Sequence, residues 1–191
     1  GTTDMDQAFT ITVSAEAVVL PELVIFENAA LPNWAAWDCC GSSTPTVETD
    51  ADADYDQVTQ FSVLADTVNG FTARDIDGAV GGTVFNATSI ATTGTISFDL
   101  KMTAAPNAGV VDWKLKIENN NGATFAEVNL SSSQEGHTTP VLDTWQTYTF
   151  NIADLTAAGL DVSSIDVVMV FPAWGSGVGA VYSIDNVKFF P

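Results

Sequence analysis

Two cysteines stand side by side in "WDCCGSSTP", Cys39 and Cys40, and the chain of 191 residues has no others. Adjacent Cα atoms are about 3.8 Å apart, shorter than the ~4.4 to 6.8 Å that an ordinary disulfide spans. Two readings are open: a vicinal disulfide that locks a tight turn beside Trp37, or a reduced, buried pair that fills space beneath the loop. Carboxylates are the second resource. "DADADYD" puts Asp50, Asp52, Asp54 and Asp56 at alternate positions, the hard oxygen ligands that calcium takes. It is no EF-hand, because Tyr55 stands where the turn needs glycine and no glutamate closes the loop. A solvated acidic turn is its other reading.

Tryptophan is the third resource, since an indole is both a core filler and a flat platform for a sugar ring. Trp34 and Trp37 lie in "LPNWAAWDCCG" and Trp174 in "FPAWGSGVG", segments whose Pro and Gly read as loops. Trp113 and Trp145 belong to strand patterns and read as core. Arg74 and Asp75 in "FTARDIDG", with Glu135 and His137 in "SQEGHTTP", are loop side chains able to meet sugar hydroxyls. A surface ion pair is the other reading of Arg74.

Other chemistries lack their residues. His137 is the sole histidine and there is no G-x-S-x-G, so a Ser-His-Asp or Cys-His arrangement is not expected, and zinc has too few ligands. "GAVGGTVF" has neither a following helix nor a lysine for phosphates. A glycosidase needs only two carboxylates. Yet "ETDAD" lacks the second glutamate and the alternating large apolar residues that place such a pair on one strand face. With 24 Asp and Glu against 5 Lys and Arg, the formal net charge is -19, which excludes nucleic acid and anionic membranes as partners. No apolar run approaches the ~20 residues of a membrane span. Acidity, few lysines and many Thr, Ser, Asn and Gly fit a secreted or cell-surface bacterial domain, monomeric and from a saline habitat.

The elements that must position these residues read as strands. "FTITV" (9 to 13), "ELVIFE" (22 to 27), "QVTQFSVL" (57 to 64), "GTISFDLKM" (94 to 102), "DWKLKIEN" (112 to 119), "TFAEVNL" (124 to 130), "WQTYTFNI" (145 to 152), "IDVVMVFP" (165 to 172) and "VYSIDNVKFF" (181 to 190) are rich in β-branched and aromatic residues and broken by turn formers. This predicts an all-β fold, a β-sandwich of two antiparallel sheets. One helical turn is expected at "NIADLTAAG", capped by Asn151 or Asp154 and stopped by Gly159. Residues 1 to 17 read as a linker or the end of a preceding module, or else as an edge strand; residues 18 to 191 form the domain.

"LVIFENAALPNW", "GTISFDLKM", "DTWQTYTFNI" and "VYSIDNVKFF" together resemble the carbohydrate-binding modules with a galactose-binding-like β-jelly roll, over about residues 22 to 191. "WAAWDCCG" with "VVMVFPAWG" is similar to modules appended to marine bacterial polysaccharide-degrading enzymes of the laminarinase type. The resemblance implies that the first and last strands pair, so that Trp34, Trp37, the cysteines and Trp174 emerge at one end of the sandwich. It implies a structural calcium on Glu27 and Asp185, with Asp52 or loop carbonyls completing the shell, although Ile25, Phe26 and Glu27 depart from the commoner Asp-Phe-Glu. The function expected is non-catalytic: binding a polysaccharide, such as the β-1,3-glucan laminarin, for a covalently linked catalytic module. A calcium-stabilised structural or adhesion domain and a small glycoside hydrolase are the alternatives.

Overall fold

The computed structural model describes residues 19–29, 33–39, 43–65, 68–74 and 82–191. Their strands form two antiparallel sheets. One has the order β3 (Thr46–Thr49), β4 (Gln57–Ser62), β11 (Val181–Phe190), β6 (Thr95–Ala104), β9 (Gln146–Asn151), with β1 (Leu23–Phe26) also on β11. The other has the order β2 (Ala35–Asp38), β5 (Asn69–Thr72), β10 (Ile165–Pro172), β7 (Trp113–Asn119), β8 (Thr124–Asn129). The expected β-sandwich is therefore the fold.

Alternation decides which side chains meet between the sheets. In β7, Trp113, Leu115 and Ile117 are buried while Lys114, Lys116 and Glu118 face outward. Phe61, Phe98, Leu100, Tyr148, Tyr182 and Phe189 complete the central core, each worth roughly 1.5 to 3 kcal/mol of burial. The Tyr182 hydroxyl, wholly buried, donates to the Val170 carbonyl at 2.6 Å, and its ring meets Trp113 edge to face at 4.9 Å. That bond removes the penalty of an unpaired phenol, and burial drives the Tyr182 pKa upward.

Strand β11 organises its sheet. Its first half (Val181 to Ile184) pairs with β4, its second half (Val187 to Phe189) pairs with β1 on the same side, and β6 runs along the other. The expected pairing of first and last strands is present, with Leu23 opposite Phe189. The helix α1 (Ile152–Ala157) starts where expected, with Asn151 at its N-cap. Asn151 makes no side-chain cap bond; its amide instead donates to Asp154 at 2.9 Å. Gly159, at φ +113°, follows the helix end in a conformation that suits glycine. Neither the strand expected at 9 to 13 nor the boundary at residue 17 lies within the described residues.

Candidate functional site

The outer face of the five-stranded sheet carries three cross-strand rows. One runs Trp37, Gly70, Met169, Lys116, Glu127 from β2 to β8. A second runs Ala35, Thr72, Val167, Glu118, Phe125. The third contains Phe171, Lys114 and Asn129, with the Cys39 N–H bonded to the Val68 carbonyl on its β2 side. Val68, Val167, Met169 and Phe171 form a buried apolar cluster against which Trp37 and Cys39 lie, while β7 and β8 present charged and polar side chains. One half of the face is apolar, and the other is polar apart from Phe125. Gly70 permits the apolar half, because a Cβ there would stand 2.2 Å from the Val168 carbonyl and push β5 off β10.

Trp174, two residues beyond β10, straddles the boundary. Its ring meets Phe171 edge-on, its N–H donates to Glu127 Oε2 at 3.3 Å, and Lys116 Nζ stands 5.8 Å from its centroid. It remains 54% exposed, and Phe125, 4.8 Å from the same ammonium, is 51% exposed. Sequence reading passed over Phe125; its outward place in the β8 alternation was the available signal.

Trp34 departs from the expected grouping. It is 3% exposed and belongs to the central core, so it offers no face to a ligand. The Pro and Gly around it suggested a loop, but Ala36, the inward residue of β2, is too small to cover the sheet interior and the indole turns inward to fill it. Trp145 departs the other way: it stacks on Tyr55 at 4.0 Å, and Lys101 stands over its ring at 5.0 Å. Cys39 is disulfide-bonded. Cys40, the chain's other cysteine, and Asp75 lie outside the described residues.

Arg74 takes the ion-pair role. Its Nε donates to Asp166 at 3.0 Å and its Nη2 to Glu118 at 2.6 Å, while Lys116 reaches Glu118 at 2.9 Å. Burial pushes the Glu118 carboxyl up, but Lys116 and Arg74 outweigh it and hold the group below its usual range. His137 lies apart from the tryptophans, against Tyr148 of β9 in the other sheet. Glu135 accepts from the Thr149 N–H and hydroxyl at 2.8 and 2.7 Å, a cap on that strand edge.

Of the acids expected to hold calcium, Asp185 stands at the β11 bulge with Glu27 adding to its negative field, while Asp52 lies in its own turn. Asp185 is fully buried: its Oδ1 accepts from the N–H groups of Asn28 (3.1 Å) and Asn186 (2.7 Å), and its Oδ2 has no partner. Asp99 faces it across the ladder and takes a 2.8 Å bond from the Asn186 amide. Burial, with Asp99 and Glu27 adding negative charge, raises the Asp185 pKa. Tyr55 shares this field, its phenol pushed up to about 12 by burial and by Asp99, Asp52, Asp185 and Asp54. Among the described residues no three His, Cys, Asp or Glu side chains converge as a metal shell, and the Asp52 carboxylate caps its own turn through the Asp54 N–H. What fits a cation is the orphaned Asp185 Oδ2.

Solved structures share this fold. The family 30 carbohydrate-binding module of a cellulosomal cellulase from Clostridium thermocellum superposes with a TM-score of 0.60 at 14% identity, covering 90% of this chain and 98% of that one. The extra C-terminal domain of an exo-1,3/1,4-beta-glucanase from a Pseudoalteromonas species gives 0.55 at 11%, over 87% of this chain and 91% of that one. A family 11 module from Clostridium thermocellum, in complex with a beta-1,3-1,4-mixed-linked tetrasaccharide, gives 0.50 at 13%, over 91% and 97%. No protein-family model matches the sequence, and a search of curated proteins finds no match. The chain has the jelly-roll fold of carbohydrate-binding modules.

Proposed function

We propose that this domain is a non-catalytic carbohydrate-binding module that holds a polysaccharide chain across the outer face of its five-stranded sheet. One observation carries the reading: Trp174 and Phe125, both more than half exposed, share that face with Trp37 and with the polar ends of Lys116 and Glu127. Exposed aromatics beside hydrogen-bonding groups suit a pyranose, whose C–H face lies on the ring while its hydroxyls meet the polar groups. The neighbours named for β-1,3/1,4-glucans make a β-glucan such as laminarin the first chain to test. The rigid sheet supports such binding, because ordering a flexible side chain costs ~0.5 to 1.5 kcal/mol and would consume the gain from each contact.

In this reading the domain is secreted and tethers a catalytic module to its polymer. Calcium at the Asp185 carboxylate, with Glu27 and Asp99 as neighbouring acids, belongs to the same proposal; it would neutralise buried negative charge where β1 meets β11. Affinity gel electrophoresis against laminarin, mixed-linkage glucan, xylan, alginate and agar tests the function. Retardation by one polymer, abolished in a Trp37→Ala, Trp174→Ala double variant, is the expected result. If no polymer slows the wild type, a calcium-stabilised structural domain replaces this reading.

A further inference from the structure

Charge on the aromatic face is out of character with the chain. Only 5 basic residues oppose 24 acidic ones, yet Arg74, Lys114 and Lys116 all stand on or beside this sheet face. Two are neutralised within the protein: Arg74 by Asp166 and Glu118, and Lys116 by Glu118. Lys114 makes no side-chain ion pair or hydrogen bond with any described residue. It is half-buried, in register between Phe171 on β10 and Asn129 on β8, and Trp174 leans on that same Phe171 ring.

A lysine whose stem is partly covered by the sheet and whose ammonium has no counter-charge among the described residues presents a positioned cation to an anion. Glu127, one row along β8 from Asn129, is the acid the chain must pass, and it already accepts the Trp174 N–H; exposed charges farther than ~8 to 10 Å are screened at physiological salt. We infer that this face takes an acid-bearing polysaccharide, with a carboxylate or sulfate of the chain on Lys114, a ring C–H face on Trp174 and a hydroxyl on the Asn129 amide. The inference rests on the carbohydrate-binding reading and adds the charge of the chain, not its linkage.

The test compares laminarin, mixed-linkage glucan and agarose, each with a lightly carboxymethylated form of the same polymer, for the wild type, Lys114→Met and Trp174→Ala at low and high NaCl. Lys114→Met keeps the aliphatic stem, and near-UV circular dichroism checks that the fold is intact. The acid form is expected to bind the wild type roughly tenfold more tightly than its neutral parent, as one charge-assisted hydrogen bond warrants. That advantage should vanish in Lys114→Met and at high salt, with affinity for the neutral chain unchanged. Equal binding of both forms, untouched by Lys114→Met but lost in Trp174→Ala, overturns the inference and leaves the carbohydrate-binding reading standing. If Trp174→Ala alters nothing, or no polymer binds, both fail together.

Discussion

The Trp174 indole stands edge-on to the Phe171 ring, centroids 5.2 Å apart and planes at 71°, and is held there without being buried. A side chain fixed at the surface in this way contributes little to folding, and in the proposed reading its open face is offered to the sugar. Trp174→Ala should lower polysaccharide affinity at least tenfold while changing unfolding free energy by no more than about 1 kcal/mol. Affinity electrophoresis and urea melts on the same preparation check both halves.

Trp34 should behave in the opposite way. Trp34→Ala empties a site in the central core and is expected to cost about 3 to 5 kcal/mol. Thermal unfolding should show a large drop in Tm, while the molecules that remain folded keep their affinity for polysaccharide. Equal losses of binding from Trp34→Ala and Trp174→Ala in fully folded protein would contradict this division of labour.

Arg74 ties β5 to β7 and β10 through its two carboxylates. Arg74→Met leaves the buried Asp166 without its guanidinium and should cost about 2 kcal/mol, less than a fully buried pair because the arginine is partly exposed. The Glu118 carboxyl is held below its ordinary value of 4.5, so its contribution is present above that pH and disappears as pH falls through the folded value. Arg74→Met should therefore flatten part of the acid limb of the stability curve, a comparison that denaturant melts from pH 6 to 3 make directly.

Asp185 has the reverse sign. Without calcium its raised folded pKa means that the native state holds the proton more tightly than the unfolded chain. Its contribution is then fully present below the ordinary value of 3.8 and is lost as pH rises through the folded value. With calcium on Oδ2 the charged form is favoured, and the dependence inverts. The difference in stability between wild type and Asp185→Asn, followed against pH with calcium and with chelator, should change slope between the two conditions. Calcium should raise the Tm of the wild type only; a Tm indifferent to calcium would remove the ion from the proposal.

Much of the sandwich was legible because its strands bury one face against the other: the alternation of Trp113, Leu115 and Ile117 marks β7, and the apolar run from Val167 to Pro172 marks β10. The strands β2, β3 and β5 gave no such signal. Ala35–Asp38 is short and alanine-rich, Thr46–Thr49 is an exposed edge, and Asn69–Thr72 opens with Asn-Gly, which reads as a turn. At Gly70 the glycine serves close approach between strands instead. Trp37 and Trp174 were readable as aromatics free of the central core, but Trp37 lies within β2 and not in a loop, and Trp34 and Trp145 exchanged environments, since the local sequence does not tell which side of a sheet an indole will cover. Lys114, Lys116 and Phe125 were visible as an alternation but not as neighbours, because their adjacency depends on a register that joins β7 to β8 and β10.

The pairing of β1 with the far half of β11 also has a mechanical consequence. Leu23, where β1 begins, lies opposite Phe189, one residue from the end of β11. Tension applied through the flanking chain would meet this ladder at its open end, loading its hydrogen bonds one after another. Such a strand peels like a zip under modest force, whereas the opposite arrangement would resist as a lap joint. A pull between the two flanking segments would detach β1 first, and the five-stranded sheet, to which β1 does not belong, would stay intact while it did so.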